Sequence, residues 1–136
     1  MNSGLIIPDL VASDKTEAIT KLVSGLFPND YQDVLESVLE RERMMSTYSG
    51  HGTSLPHAKT VKVDGLTYAF AKSNDGIAWD DEKVNFIVLT LSPKGQSGPH
   101  VIFLSEIAKL LSNQEVRNEL MYASSEDEIR EVLELL

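Results

Sequence analysis

The chain has 136 residues, which suits one domain that buries roughly two-thirds of its unfolded surface and leaves little room for two. It has no cysteine, which excludes a disulfide framework, a thiolate metal site and a cysteine nucleophile, and which fits a reducing cytoplasm. A formal charge of −9 argues against nucleic-acid binding, which needs clustered Lys and Arg, and favours solubility and basic protein partners.

The opening MNSGLIIPDL has no basic segment and its short apolar stretch is broken by Pro8, so it is not read as a signal peptide. No apolar run approaches the ~18 residues of a membrane span, so a cytoplasmic chain without membrane insertion is expected. Asp14 followed by Glu17 resembles a capping box, and Ile19, Leu22, Val23 and Leu26 then share one helical face. Pro28 and Asn29 break this helix. A second begins near Asp30, turns Tyr31, Val34, Leu35, Val38 and Leu39 inward, and runs out through the charged stretch Glu40 to Arg43. The stretch Thr47 to Gly52 reads as a turn.

The period then changes. Leu66, Tyr68 and Phe70 alternate with smaller residues, and Asn74-Asp75-Gly76 marks a turn. Lys83 to Leu91 is β-rich and almost wholly apolar after Asn85, as in a strand buried on both faces. Ser92-Pro93-Lys94-Gly95 closes it. Gly98 and Pro99 suit the start of a helix whose apolar face is Ile102, Phe103, Ile107, Leu110 and Leu111. Ser112 with Glu115 predicts a cap for a short helix carrying Val116 and Leu120. Ser125 with Glu128 predicts another, for a last helix carrying Ile129, Val132, Leu133 and Leu136. Helices, then strands, then helices indicate an α/β domain, a sheet covered by helices with some antiparallel pairing.

Chemistry is confined to few residues. The three histidines are His51, His57 and His100. His57 ends the run Gly52-Thr53-Ser54-Leu55-Pro56-His57, where Pro56 stiffens the main chain and holds Leu55 extended. An imidazole on a fixed backbone can aim one ring nitrogen at a partner, and histidine supplies a neutral nucleophile near neutral pH. His100 falls in the first turn of a helix, where free N–H groups and the positive dipole end favour anions. Its alternative is a solvent-exposed polar residue. Arg41 and Arg43 close the second helix, where cations complement the dipole whether or not either reaches toward His57 with its fork of donors. A zinc site from His51, His57 and His100 is disfavoured, since the six-residue gap between the first two lacks the helical spacing and acidic base of a zincin. No cofactor-binding glycine loop is present.

Together these residues resemble the enzyme IIA family of the bacterial phosphoenolpyruvate-dependent phosphotransferase system, in its fructose, mannitol and nitrogen-regulatory class. The family signature, Arg-Glu, then Ser/Thr-Thr, a glycine-bounded turn and Pro-His, is met by Arg41-Glu42, Ser46-Thr47, Gly50-His51-Gly52 and Pro56-His57. Pro99-His100-Val101-Ile102 fits the second family histidine, and the likeness spans nearly the whole chain as a single domain, 1–136. The resemblance implies a mixed β-sheet with helices on both faces. It implies that His57 receives phosphate from the phosphocarrier HPr and donates it to an enzyme IIB domain, with no metal or cofactor. His100 would contact the phosphorylated ring or phosphate, and Arg41, not Arg43, would neutralise its charge. The alternative within the class is a nitrogen-type regulator whose phosphorylation controls binding to transporter or sensor proteins. Two departures stand out. Thr53 and Ser54 put hydroxyls where the family has apolar or small residues, either binding phosphate or satisfying backbone groups. His51 replaces a small polar turn residue and reads as a surface turn.

Overall fold

A computed structural model describes residues 4–96 and 98–134. One six-stranded mixed sheet, built from β1 (Leu5–Ile7), β2 (Tyr48–Gly50), β3 (Thr53–Ser54), β4 (His57–Thr60), β5 (Thr67–Trp79) and β6 (Glu82–Pro93), carries helices on both faces. The order is β1-β5-β6-β3-β2, with β4 continuing the β3 side of β6. The β5–β6 and β2–β3 pairs are antiparallel, while β1 with β5 and both β3 and β4 with β6 are parallel.

On one face lie α1 (Lys15–Leu26) and α2 (Gln32–Met44). Ala18, Ile19, Leu22 and Val23 of α1, with Val34 and Val38 of α2, meet Ala69, Ala71, Ile77, Trp79, Ile87, Leu89 and Leu91 of the sheet. On the other lie α3 (Gly98–Leu111), α4 (Gln114–Tyr122) and α5 (Glu126–Leu133). Their Phe103, Ile107, Leu111, Leu120, Ile129 and Leu133 cover Tyr68, Phe70, Phe86 and Val88. Successive strand side chains therefore alternate between two cores, and β6 from Phe86 to Ser92 has no exposed face. Each large apolar side chain buried there contributes about 1.5–3 kcal/mol.

Several local expectations need correction. Asp14 caps α1 by accepting from the Glu17 N–H at 2.9 Å, but the Glu17 carboxylate returns to the N–H of Ser13 at 2.6 Å. The helix α2 starts at Gln32, close to the expected Asp30, and has no side-chain cap; Asp30 pairs with Lys62. Asn74-Asp75-Gly76 does not reverse the chain. Lys72 pairs with Phe86 and Ile77 with Val84, so residues 73–76 bulge opposite Asn85 alone, with Gly76 at φ 83°. The Asn85 side chain fills that bulge by donating to the Ser73 carbonyl at 2.9 Å. The reversal lies at Asp80-Asp81, where Asp80 takes φ 57°, a conformation aspartate tolerates.

Ser112 is not the cap of α4. Asn113 is, since its side-chain oxygen reaches the N–H groups of both Glu115 and Val116, while the Ser112 hydroxyl turns back to Lys109. Ser125 does cap α5, accepting from Glu128. Ile102 lies outside the buried stripe set by His100, Phe103 and Ile107, and is 60% exposed. Leu136 lies outside the described residues. The short strand β1 was hidden in the apolar stretch before Pro8 and is recognisable only by its pairing with β5.

Three elements converge at one edge of this sheet. The strand β4 runs parallel to β6 with His57 opposite Thr90, α2 ends beside β4, and α3 starts just beyond the end of β6.

Candidate functional site

The turn forecast for Thr47 to Gly52 is a hairpin whose reversal is confined to His51 and Gly52, both left-handed. His51 is exposed there and lines a separate small cavity with Ser49, Thr53 and Ser112, away from the other histidines. Among the described residues no group of three or more His, Asp or Glu side chains is placed to hold a metal. The Thr53 hydroxyl lies 3.5 Å from the His51 carbonyl, and that of Ser54 is buried without a partner among the described residues. Neither lines the cleft described next.

Pro56 separates β3 from β4, and its carbonyl accepts from the Thr90 N–H at 3.0 Å, fixing the entry to β4. Alternation along β4 sends Ala58 into the α1–α2 core and leaves His57 and Lys59 on the face shared with α3. The His57 ring is half-buried, and its Nδ1 lies 2.9 Å from the Leu55 carbonyl oxygen. A carbonyl can only accept, so Nδ1 carries the proton and the lone pair resides on Nε2.

His100, in the first turn of α3, stands edge-on to His57 with ring centroids 5.0 Å apart. It is buried, and its Nδ1 has no hydrogen-bond partner among the described residues. The buried hydroxyls of Thr90 and Ser92, on the same sheet face as His57, are likewise unpartnered there. Burial pushes the His100 pKa below the ordinary histidine value, and the adjacent His57 and Lys59 push it the same way. The neutral ring is therefore favoured in the folded chain. As pH falls below about 6.5, the unfolded chain protonates this histidine before the folded one does. Stability from His100 is thus complete above that pH and lost on descending toward the folded pKa. Urea unfolding at a series of pH values is expected to show this loss, bounded by about 1.4 kcal/mol per pH unit. The difference between wild type and His100→Gln isolates it from the other two histidines.

Arg41 closes the ring of groups. Its Nη1 donates to the Met45 carbonyl at 2.9 Å, and its other donors make no hydrogen bond among the described residues. Arg41, His57 and His100 line one cleft of about 490 Å³ with Ser37, Glu40, Met44, Ala58, Lys59 and Val101. Arg43 is exposed and does not line it. Lys59 adds a second cation, which its i+2 spacing from His57 on a strand could have revealed. Glu40 opposes both. The cleft can place an anion between a guanidinium, two imidazoles and the N-terminus of α3. Met44 and Val101 add apolar side chains to its polar wall, and their chain neighbours Met45 and Ile102 are exposed.

The family described as phosphoenolpyruvate-dependent sugar phosphotransferase system, EIIA 2, matches residues 1–135. The fructose-specific EIIABC component of the PTS system from Bacillus subtilis is 31% identical over 132 residues, covering 92% of this chain. The chain spans only 21% of that protein's length. Nitrogen regulatory protein IIA-Ntr from Neisseria meningitidis superposes with a TM-score of 0.83 at 28% identity, covering 95% of this chain and 92% of that one. A structure of the complex of enzyme IIAMTL and phosphorylated enzyme IIBMTL from Escherichia coli shares the fold, with a TM-score of 0.78 at 21% identity over 100% of this chain and 98% of that one. The mixed sheet, the helices on both its faces and the match along nearly all of the sequence make this chain a member of the EIIA 2 family of the phosphoenolpyruvate-dependent sugar phosphotransferase system.

Proposed function

We propose that this chain is a cytoplasmic phosphocarrier that takes a phosphoryl group from phospho-HPr onto Nε2 of His57 and passes it to an enzyme IIB component during sugar uptake. The observation that carries this reading is the Leu55 carbonyl on Nδ1 of His57, which leaves Nε2 as the free nucleophile in a cleft shared with Arg41 and His100. In the transfer, the Nε2 lone pair attacks phosphorus while the bond from phosphorus to the donor nitrogen breaks and the donor ring keeps those electrons. Onward transfer repeats the exchange toward the IIB acceptor.

Phosphoryl transfer asks for positioning and charge stabilisation more than covalent work. Arg41, Lys59 and the first turn of α3 supply positive potential without a metal. Neutral His100 avoids placing a cation beside the unmodified His57, and as an N–H donor it can hold a phosphoryl oxygen once the charge arrives. The exposed apolar side chains of Met44, Met45, Val101 and Ile102 suit a protein partner pressed over the cleft rather than a free sugar. No helix among the described residues is long and apolar enough to cross a membrane.

The nitrogen-type regulatory reading uses the same phosphorylation step and differs in the acceptor. The Neisseria meningitidis relative, matched over most of both chains, favours keeping it beside the transport reading. Incubation with phosphoenolpyruvate, enzyme I and HPr is expected to add one phosphoryl group that is stable in alkali and lost in acid. A chain that stays unmodified, or is modified elsewhere, overturns the proposal. Onward transfer to a sugar-specific IIB domain separates the transport role from the regulatory one.

A further inference from the structure

We infer that Glu42 is the positioning residue of this site: through Thr47, its buried carboxylate holds the backbone that aims His57 and the backbone that anchors Arg41. The inference rests on the phosphocarrier reading, but it concerns a group outside the cleft. Glu42 sits between two arginines near the end of α2, yet is only 3% exposed. Its Oε1 accepts from the Thr47 hydroxyl at 2.6 Å, and its Oε2 accepts from the Thr47 N–H at 3.0 Å and from Trp79 Nε1 at 3.1 Å. The ammonium of Lys15 lies 3.7 Å from Oε2.

Two short routes lead from Thr47 to the cleft. Its carbonyl accepts from the Leu55 N–H at 3.0 Å, and the Leu55 carbonyl in turn takes the Nδ1 proton of His57 at 2.9 Å. Two residues before Thr47, the Met45 carbonyl takes the Nη1 proton of Arg41 at 2.9 Å. Residues 45–47 therefore set both the ring orientation of the nucleophile and the place of the guanidinium, and Glu42 holds Thr47 by backbone and side chain together. A buried carboxylate is a costly way to gain stability alone, since well-packed apolar groups commonly serve as well. Its return here is geometric. It ties the end of α2 to the hairpin leading to β4, and preorganisation of that kind is what phosphoryl transfer needs, while the bond from Trp79 helps to satisfy the buried charge.

Three variants and a control test this, read by transfer rate from phospho-HPr and by the ¹⁵N spectrum of the His57 ring in the unphosphorylated protein. Glu42→Ala is expected to slow transfer on the order of 10²-fold and to lower the population of the Nδ1–H tautomer of His57. Glu42→Gln keeps an acceptor oxygen and offers an N–H to the Thr47 hydroxyl, and is expected to recover most of the rate and the tautomer. Thr47→Val removes one hydroxyl and keeps every backbone bond, so it reports even if Glu42→Ala does not fold; a roughly tenfold slower transfer is expected. Trp79→Phe removes a donor from the same carboxylate without touching Thr47, and should lower the melting temperature with transfer near wild type.

The inference is overturned if folded Thr47→Val transfers at the wild-type rate with the wild-type tautomer. It is equally overturned if Trp79→Phe slows transfer as much as Thr47→Val, because lost stability would then suffice. Should the wild type accept no phosphoryl group, the phosphocarrier reading fails, and the tautomer spectra still decide the role of Glu42.

Discussion

Replacement of His57 by alanine is expected to abolish phosphoryl acceptance while leaving the fold nearly untouched. The ring lies on an edge strand, half-buried, and among the described residues makes a single hydrogen bond, to the Leu55 carbonyl. That carbonyl borders an open cleft and can be hydrated when the ring is gone, so the stability cost is about 1 kcal/mol or less. The chemical loss is far larger, because the cleft-lining imidazole whose tautomer the Leu55 carbonyl fixes disappears. His100 is not an equivalent substitute. It is buried deeper than His57, and no carbonyl among the described residues holds its Nδ1 proton to select a tautomer. Transfer below a thousandth of wild type is expected, equivalent to about 4 kcal/mol or more of lost transition-state stabilisation. Mass spectrometry of the intact chain after incubation with phospho-HPr, alongside a thermal melt, measures both halves. In the wild type, heteronuclear NMR is expected to place phosphorus on Nε2; a phosphoryl group on Nδ1 would require the Leu55 bond to break first.

How far the sequence displayed this arrangement differs by element. The helices α1 and α5 were legible because apolar periodicity and a capping side chain agreed, and β6 was legible because nothing but burial on both faces explains its run of apolar residues. Some failures depended on a partner outside the local segment, and the cap of α4 on a competing bond within the preceding helical turn. Asn74-Asp75-Gly76 has turn chemistry, but β6 keeps pairing past it and Asn85 turns the would-be reversal into a bulge. Ser112 and Asn113 both have capping side chains, and only the final turn of α3 decides which is free to cap. Glu42 stood only as a member of the charged stretch Glu40 to Arg43 and of the Arg-Glu pair of the signature, and its buried role shows in its bonds to Thr47 and to Trp79, the latter remote along the chain. The site divides the same way. Local sequence nominated His57 through Pro56 and His100 through its place in a helical first turn. That they stand 5.0 Å apart beside Arg41 follows from β4 and β6 running parallel, which local sequence does not specify and the family likeness implied.

Arg41→Lys is expected to slow phosphoryl transfer on the order of 10²–10³-fold, close to the effect of removing a preorganised donor from an oxyanion site. The substitution keeps the charge, so a purely electrostatic role would predict a small effect. Geometry argues otherwise. The guanidinium spends one N–H on the Met45 carbonyl and keeps its remaining donors in a fixed plane, whereas an ammonium would have to choose between that anchor and the phosphoryl oxygens. Lys59 already places a mobile point charge on the cleft wall, so a second lysine adds little that the site lacks. Glu40, on the same helix, also penalises any cation that can swing toward it rather than toward His57. The loss should fall mainly on the rate of the transfer step, because the exposed apolar side chains Met44 and Val101 of the cleft wall are unaltered. Single-turnover transfer from phospho-HPr at saturating donor separates that step from docking. Arg41→Lys transferring within about threefold of wild type would shift the burden of charge stabilisation to Lys59 and the first turn of α3, and would make Lys59→Ala the damaging substitution instead.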